Sequence, residues 1–247
     1  MNAKQKLESS SKLIFAHRGA SVVQPENTLA AFRAAPQMGA DGVELDVHLT
    51  RDGHIVVIHD YEINRTARQK LDASVSVEDL TLRQLRKYDF GNGEKIPTLK
   101  QVMNLVGPNI LVDIEIKANL GKPYKELCAA LALFLSERGN IDNVFVSSFN
   151  PFALNEFRRA TRKLKINVPT ALIYADLPDV PKWLWHRRGR FIHNPDIYKP
   201  YYKDVRRIGH RPMLTWTVDD ANVARDLFAQ NITGVITNVP DKILKVR

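Results

Sequence analysis

Residues 39–60 read GADGVELDVHLTRDGHIVVIHD, a stretch that holds two β-rich runs with almost nothing between them. The first run is GVELDVHLT (42–50), and the second, HIVVIHD (54–60), follows after only RDG. Parallel neighbours need a crossover of about a dozen residues or more, whereas Asp52-Gly53 is a typical hairpin pair. The second run is therefore predicted to fold back antiparallel on the first and to stay outside any parallel sheet.

The same hairpin fixes the direction of several polar side chains. Residues i and i+2 of a strand point to one side, so Glu44 and Asp46 are expected to aim together. If the turn centres on Asp52-Gly53, counting back places Asp46 opposite His59. Directly opposed residues share a face and lie about 5 Å apart. The sequence thus predicts two carboxylates and one imidazole on one face of this hairpin.

Amphipathic stretches separate most of the further β-rich runs along the chain. In residues 25–39, for example, Pro25 suits a helix start and Gly39 a helix stop. Such strand–helix alternation predicts an α/β fold with a parallel sheet covered by helices. Without the return strand of the hairpin, eight strands remain, which is the number in a TIM (β/α)8 barrel. The predicted strands are residues 13–16, 42–50, 110–117, 143–149, 170–175, 190–194, 213–218 and 234–238.

Residues 61–97 fit the alternation poorly and are predicted to form a small insertion after the second strand, over the barrel mouth. The total of 247 residues agrees with the roughly 250 residues of a typical TIM barrel. We therefore expect residues 1–247 to form a single barrel domain.

The composition limits the classes of protein that fit the chain. No run approaches the ~18 apolar residues of a membrane helix, and the N-terminus lacks a signal-peptide core, so a cytoplasmic protein is expected. The only cysteine, Cys128, allows no internal disulfide. The net charge is +9, and the excess lies in residues 151–247, with 18 Lys/Arg against 9 Asp/Glu. This asymmetry favours an anionic partner, which could be a nucleic acid, a lipid surface or a phosphorylated substrate.

A set of charged and imidazole side chains stands at the ends of the predicted strands. Barrel strands end at one mouth, where active sites lie. Carboxylates suit Mg²⁺ or Ca²⁺, Arg and Lys suit phosphate, and two histidines suit general acid and base. Asp113 is predicted to share a strand face with Glu115 and Lys117 but to lie deeper in the barrel. The set is His17, Arg18, Glu44, Asp46, His59, Glu115 and Lys117.

The sequence resembles the glycerophosphodiester phosphodiesterase family over nearly the whole chain. The long pieces are specific, and they follow the family's order. They are AHRGAS (16–21), PENTLAAF (25–32), GADGVELDVHLTRDGHIVVIHD (39–60), NRT (64–66), IPTL (96–99), IEIK (114–117), SSF (147–149), WTV (216–218) and GVITNVPD (234–241).

The resemblance implies a TIM barrel that hydrolyses glycerophosphodiesters to glycerol 3-phosphate and an alcohol. It implies one divalent cation, Mg²⁺ or Ca²⁺, and a mechanism through a cyclic phosphate, with direct attack by water as the alternative. It further implies a role for each site residue: His17 and His59 exchange protons, Arg18 and Lys117 hold the phosphodiester, Glu44, Asp46 and Glu115 hold the cation, Trp216 contacts the glycerol, and Asn27 supports the site.

Two other functions remain to be compared with this one. The first is a lysophospholipase D or phospholipase on the same barrel, which residues 176–191 (DLPDVPKWLWHRRGRF) suggest. Tryptophans beside arginines suit weak contact with a membrane surface, although a helix with Trp183 and Trp185 packed inward is the favoured interpretation. The second is a nucleic-acid-binding module, for which no motif is visible and in which converging carboxylates have no use. The expected partner is a small-molecule glycerophosphodiester; the oligomeric state leaves no mark in the sequence.

Overall fold

The computed structural model describes residues 1–118, 124–178, 180–206 and 211–247. Its strands are β1 (Leu13–His17), β2 (Gly42–Leu49), β3 (Ile55–Val57), β4 (Leu111–Ile116), β5 (Val144–Ser148), β6 (Thr170–Tyr174), β7 (Ile197–Pro200), β8 (Leu214–Thr215) and β9 (Gly234–Thr237). Its α-helices are α1 (Ala3–Glu8), α2 (Leu29–Gln37), α3 (Leu82–Leu85), α4 (Leu99–Val106), α5 (Lys125–Arg138), α6 (Pro151–Lys163), α7 (Ala221–Ala229) and α8 (Pro240–Leu244).

Eight parallel strands form a nearly closed barrel in the order β7-β6-β5-β4-β2-β1-β9-β8. Two parallel bridges, Tyr198 to Met213 and Tyr201 to Trp216, join the β7 side to the β8 side. α1 covers the amino-terminal end, where its Ala3 and Leu7 are buried with residues of the barrel interior such as Phe145. The barrel interior is thus closed by packing at one end, and the carboxyl ends of the strands are left to form the mouth.

The antiparallel return of β3 on β2 is confirmed, but the predicted register is wrong by one residue. Leu49 pairs with Ile55, and the carbonyl of Asp46 accepts from the amide of Ile58 at 3.0 Å. The loop has three residues and ends at Gly53 with φ +80°, a hairpin type in which a left-handed glycine follows a type I turn. The extra loop residue moves every pair, so Asp46 lies opposite Ile58 and not opposite His59.

One predicted strand, residues 190–194, is also wrong. Residues Arg188–Phe191 form a 3₁₀ turn, and Phe191 is 77% exposed. The seventh barrel strand is Ile197–Pro200 instead. Its inward-facing Lys199 is only 2% exposed, and a lysine is almost never buried unless it is paired. The apolar periodicity that reveals the other strands is therefore interrupted in this one.

The predicted helix over residues 25–39 begins later than Pro25. α2 starts at Leu29, and the side chain of Thr28 accepts a hydrogen bond from the amide of Ala31. Thr28 is therefore the N-cap residue, a position that Ser, Thr, Asp and Asn favour. The residues before it form a loop at the mouth, which leaves Asn27 free for the site.

Residues 61–97 contain α3 and a 3₁₀ turn at Val77–Asp79. They bury their own apolar cluster, which includes Ile63, Val77 and Leu85, against Val56 and Ile58 of the hairpin. The segment is therefore anchored beside β3.

Among the described residues, no helix has the length and apolar character needed to span a membrane.

Candidate active site

Three buried carboxylates converge at the barrel mouth as the sequence predicts. Glu44 and Asp46 come from β2 and Glu115 from β4, and the parallel register places Asp46 beside Glu115. They are 2%, 1% and 7% exposed, and each offers an oxygen within 4.8 Å of those of the other two. Strong mutual repulsion follows, because like charges at this distance in a buried site oppose ionisation.

Two cations lie against this carboxylate cluster. Lys117 Nζ is 2.7 Å from Glu115 Oε1 and 3.2 Å from Asp46 Oδ1, and Arg18 Nε is 3.5 Å from Asp46 Oδ2. Burial opposes the negative charge of Asp46. The neighbouring Lys117, His59 and Arg18 outweigh burial and hold the pKa of this carboxyl well below its usual range. Burial and the neighbouring Asp46 raise the pKa of Glu44 well above its usual range. Three carboxylates thus face two cations, so ionisation of all three would leave one negative charge that Arg18 and Lys117 do not neutralise.

The imidazole of His17 is fixed by a chain of hydrogen bonds. Asn238 donates from Nδ2 to Asp219 at 2.7 Å, so its Oδ1 faces Nδ1 of His17, also at 2.7 Å. Nδ1 of His17 is then the donor, which leaves the lone pair on Nε2, 4.0 Å from Glu44 Oε2. Burial lowers the pKa of His17 to about 4, with a further contribution from Arg18. His17 is thus a neutral proton acceptor near pH 7.

His59 lies just beyond the end of β3 and lines the mouth cavity together with Glu115 and Lys117. Its Nδ1 is 2.5 Å from Asp60 Oδ1, and the other oxygen of Asp60 accepts from Nε of Arg65, also at 2.5 Å. A carboxylate at Nδ1 fixes the tautomer and the orientation of an imidazole. Nε2 of His59 is thereby the nitrogen left for a ligand.

Arg65 connects this histidine to the phosphate-binding candidate Arg18. Its two terminal nitrogens contact Glu26 at 2.9 and 2.7 Å, and Glu26 Oε1 also accepts from Arg18 Nη1 at 3.0 Å. A bidentate guanidinium–carboxylate pair has a fixed geometry. Arg65 therefore positions both sides of the site through Glu26 and Asp60.

The supporting position of Asn27 is also in place. Its Nδ2 donates to Asp46 Oδ2 at 2.9 Å, and its backbone has φ +57°, a left-handed conformation that asparagine tolerates better than most residues. Its amide donates to the carbonyl of Arg18 at 2.9 Å. Asn27 thus orients one carboxylate from the loop before α2.

Trp216 lies at the end of β8, where its Nε1 donates to the carbonyl of Lys199 at 2.9 Å. Its ring packs edge-on against Phe149 at 5.3 Å between centroids. Phe149 lines the mouth cavity, whereas Trp216 stands behind it among the described residues. The indole is therefore half-buried next to the cavity.

The cavity has a volume of about 760 Å³ and two kinds of lining. The polar lining comes mainly from residues 59–65, and the apolar lining includes Phe149, Val180, Pro181 and Leu184. Glu115 and Lys117 also line it. A cavity with this lining can take a ligand that has a polar part and an apolar part.

The donor chemistry of the cluster suits a hard divalent cation. Mg²⁺ and Ca²⁺ take carboxylate oxygens, and a bound cation offsets repulsion between carboxylates that would otherwise oppose one another. Glu44, with its raised pKa, is the carboxylate that gains most from such a neighbour. Glu44, Asp46 and Glu115 therefore suit a hard divalent cation.

Sequence reasoning missed five residues of this network: Glu26, Asp60, Arg65, Asp219 and Asn238. Two of them carried a local signal, because Asp60 directly follows His59 and Asn238 follows the last barrel strand. The hydrogen bonds of the other three depend on loops whose paths the pattern of residues does not predict.

The fold and the mouth together define a class, the TIM-barrel phosphodiesterases. A model of the glycerophosphoryl diester phosphodiesterase family matches residues 17–242, and the chain belongs to that family. It is accordingly a phosphoric diester hydrolase.

Relatives of known sequence and structure agree with this assignment. A glycerophosphodiester phosphodiesterase of Caldanaerobacter subterraneus subsp. tengcongensis is 34% identical over 252 residues, covering 95% of this chain and 97% of the relative. An Oleispira antarctica phosphodiesterase, solved with its product sn-glycerol-3-phosphate, has a TM-score of 0.79 at 25% identity, with 96% of each chain covered. A Silicibacter pomeroyi structure has a TM-score of 0.87 at 22% identity, covering 100% of this chain and 97% of that one, which shows the shared barrel.

Proposed function

We propose that the protein hydrolyses glycerophosphodiesters to glycerol 3-phosphate and an alcohol in a reaction that depends on one divalent cation. The observation that carries the proposal is the convergence of Glu44, Asp46 and Glu115, all buried, on one point at the mouth. The product found in the Oleispira antarctica phosphodiesterase supports the choice of substrate class.

In this proposal Glu44, Asp46 and Glu115 hold the cation, either Mg²⁺ or Ca²⁺. When bound, the ion neutralises negative charge on the phosphodiester and on its transition state. Arg18 and Lys117, which already face the carboxylates, bind the non-bridging oxygens of the phosphoryl group. Trp216 contacts the glycerol moiety, a role that its place beside Phe149 supports.

The two histidines divide the proton transfers. His17 is neutral with Nε2 free, so it accepts the proton of a glycerol hydroxyl as that oxygen attacks phosphorus. His59, held by Asp60, donates a proton from Nε2 to the departing alcohol oxygen. The product of this step is a cyclic phosphate, which water opens with the two proton transfers reversed. Direct attack by water on the diester is the alternative.

We also propose that residues 1–247 form one domain, in which residues 61–97 are a small insertion that contributes to the mouth. Tyr61, Glu62, Asn64 and Arg65 on the cavity wall support this arrangement. A cytoplasmic location remains a prediction from the sequence.

A second activity, cleavage of a lysophospholipid by a lysophospholipase D reaction, has one specific observation in its favour. The cavity wall formed by Phe149, Val180, Pro181 and Leu184 is apolar, and an acyl chain on the leaving side would bury apolar surface there. The same carboxylates and histidines would perform this cleavage.

The test is a product analysis with three substrates: glycerophosphocholine, glycerophosphoethanolamine and lysophosphatidylcholine. Glycerol 3-phosphate from the first two is the expected result, and phosphorus NMR identifies it directly. Release of choline from lysophosphatidylcholine alone would assign the second activity. A folded protein that cleaves none of the three would contradict both.

A further inference from the structure

Several large apolar side chains are exposed around the barrel mouth. Val22 and Val23, in the loop after β1, are 62% and 53% exposed, and Phe152, after β5, is 42% exposed. Trp183 and Phe191, between β6 and β7, are 44% and 77% exposed. Loops that follow parallel strands gather at one end of a barrel, so Val22, Val23 and Trp183 lie on the side of the mouth, whereas Phe191 lies further along the connection, next to Ile192, whose carbonyl accepts from Asn155 of α6. Contiguous exposed apolar groups mark an interaction surface, and Trp183 and Phe152 are neighbours of this kind.

The richest part of this surface is residues 180–191 (VPKWLWHRRGRF), here called the docking segment. Its two tryptophans differ, contrary to the expectation that both pack inward. Trp185 donates from Nε1 to the carbonyl of Val180 at 2.8 Å and packs in a small buried cluster. Trp183 points outward beside Phe152, with 6.2 Å between ring centroids. One indole therefore anchors the segment, and the other is presented to the surroundings.

The charge of the docking segment has one sign. It contains Lys182, Arg187, Arg188 and Arg190 and no acidic residue. Within the part of the chain that the structure describes, Lys182, Arg188 and Arg190 form no ion pair, and the guanidinium of Arg190 lies 4.7 Å from the ring of Phe191. The segment thus combines exposed aromatic rings with basic side chains that have no acidic partner among the described residues.

We propose that the mouth face docks on an anionic lipid surface through the docking segment. Tryptophan and phenylalanine enter the boundary between headgroups and acyl chains, and basic side chains beside them bind anionic headgroups. The apolar cavity wall is built by Val180, Pro181 and Leu184 of the same segment. Docking in this orientation turns the cavity toward the lipid surface. The docking itself does not depend on which reaction takes place in the cavity.

The test is co-sedimentation of the whole protein with phosphatidylcholine vesicles that contain or lack phosphatidylglycerol. The parent protein is expected to bind the anionic vesicles and to leave them as salt rises. Arg188→Gln/Arg190→Gln is expected to weaken partition by about 30-fold, since each basic residue near an anionic leaflet contributes about fivefold. Trp183→Ala/Phe191→Ala, which removes exposed rings, is expected to weaken it about tenfold.

Two matched controls separate a docking site from bulk charge and bulk apolarity. Arg162→Gln/Lys163→Gln removes the same charge from the end of α6, away from the mouth, and Leu133→Ala removes an exposed apolar group from α5. Both are expected to bind vesicles like the parent, and every variant is expected to keep its activity on soluble glycerophosphocholine. No binding of the parent to anionic vesicles, or equal losses in the controls, would overturn the proposal. Binding of an RNA oligomer in place of vesicles would assign the surface to nucleic acid instead.

Discussion

Two carboxylates on the same face of β4 have different surroundings. Asp113 lies deeper in the barrel, where Lys199 Nζ is 2.5 Å away and Ser147 Oγ donates at 2.6 Å. Glu115, two residues further along, shares the mouth with Glu44 and Asp46 and borders the cavity. The deeper site, Asp113 with Lys199, is closed and paired. The mouth brings three carboxylates together and opens on space for a ligand.

This difference separates a structural use of buried charge from a functional one. A buried charge is tolerated when it is paired and hydrogen-bonded, as Asp113 is. A cluster in which burial and repulsion by Asp46 raise the pKa of Glu44 costs stability unless a ligand supplies positive charge. Binding of a cation at the mouth is therefore expected to stabilise the folded protein.

The largest effect is expected from the histidines at the mouth. His17→Ala and His59→Ala should each lower kcat by about 10²- to 10⁴-fold, the usual contribution of a general acid or base. Steady-state hydrolysis of glycerophosphocholine measures this effect. His193→Asn changes a histidine that contacts Thr170 at the start of β6, away from the mouth, and should leave kcat near that of the parent. A comparable loss of kcat in this variant would contradict the distinction between structural and functional buried groups.

The deeper site should respond in stability. Lys199→Met leaves Asp113 buried without its cation, which should lower the free energy of unfolding by roughly 3–5 kcal/mol. Urea denaturation followed by circular dichroism measures it. Asp113→Asn/Lys199→Met should recover much of the loss, because neither charge is then left alone. An additive double variant would show that the two residues do not act as a pair.

Arg65 should affect turnover more than fold. Arg65→Met releases Asp60 and Glu26 together, so His59 and Arg18 lose their fixed positions, and kcat should fall about tenfold or more with little change in melting temperature. Arg83→Met, in the same insertion on α3, is the control and should behave like the parent. A loss confined to KM would indicate that Arg65 binds substrate instead of positioning these two residues.

The smallest effect concerns pH. Burial lowers the pKa of His193 to about 3, helped by Arg158. Between pH 6.5 and 3, His193 binds a proton in the unfolded chain but not in the folded protein, so the free energy of unfolding decreases as pH falls through this window. From pH 7 to 5.5 His193 should contribute about 1 kcal/mol of this loss. His193→Asn should flatten the dependence of the unfolding free energy on pH by that amount, and an unchanged slope would contradict the assignment.

Most of the barrel is predictable because its strands carry a continuous apolar pattern. The exception, β7, contains the buried Lys199, whose partner Asp113 lies 86 positions earlier in the chain and cannot be paired with it from the pattern. The hairpin shows a second limit. Asp52-Gly53 predicts a turn, but whether the loop has two or three residues decides the register, and that depends on Thr50 and the left-handed Gly53.

The carboxylates, histidines and cations at the mouth could be predicted because strand ends meet there whatever the exact register. Their supporting contacts could not. Asn238 reaches His17 and Arg65 reaches Glu26 through loops of separate βα units. Such contacts depend on loop conformation, which carries no periodic signal in the sequence.

The most direct test of the central claim, that the mouth carboxylates form a cation site needed for hydrolysis, is glycerol 3-phosphate release from glycerophosphocholine after treatment with EDTA. The parent should release none until Mg²⁺ or Ca²⁺ is restored. Glu44→Gln should stay inactive with either ion, yet unfold at a slightly higher temperature than the parent in EDTA, because one repelling charge is gone. Full activity of the parent in EDTA, or parent-like activity of Glu44→Gln, would contradict the account.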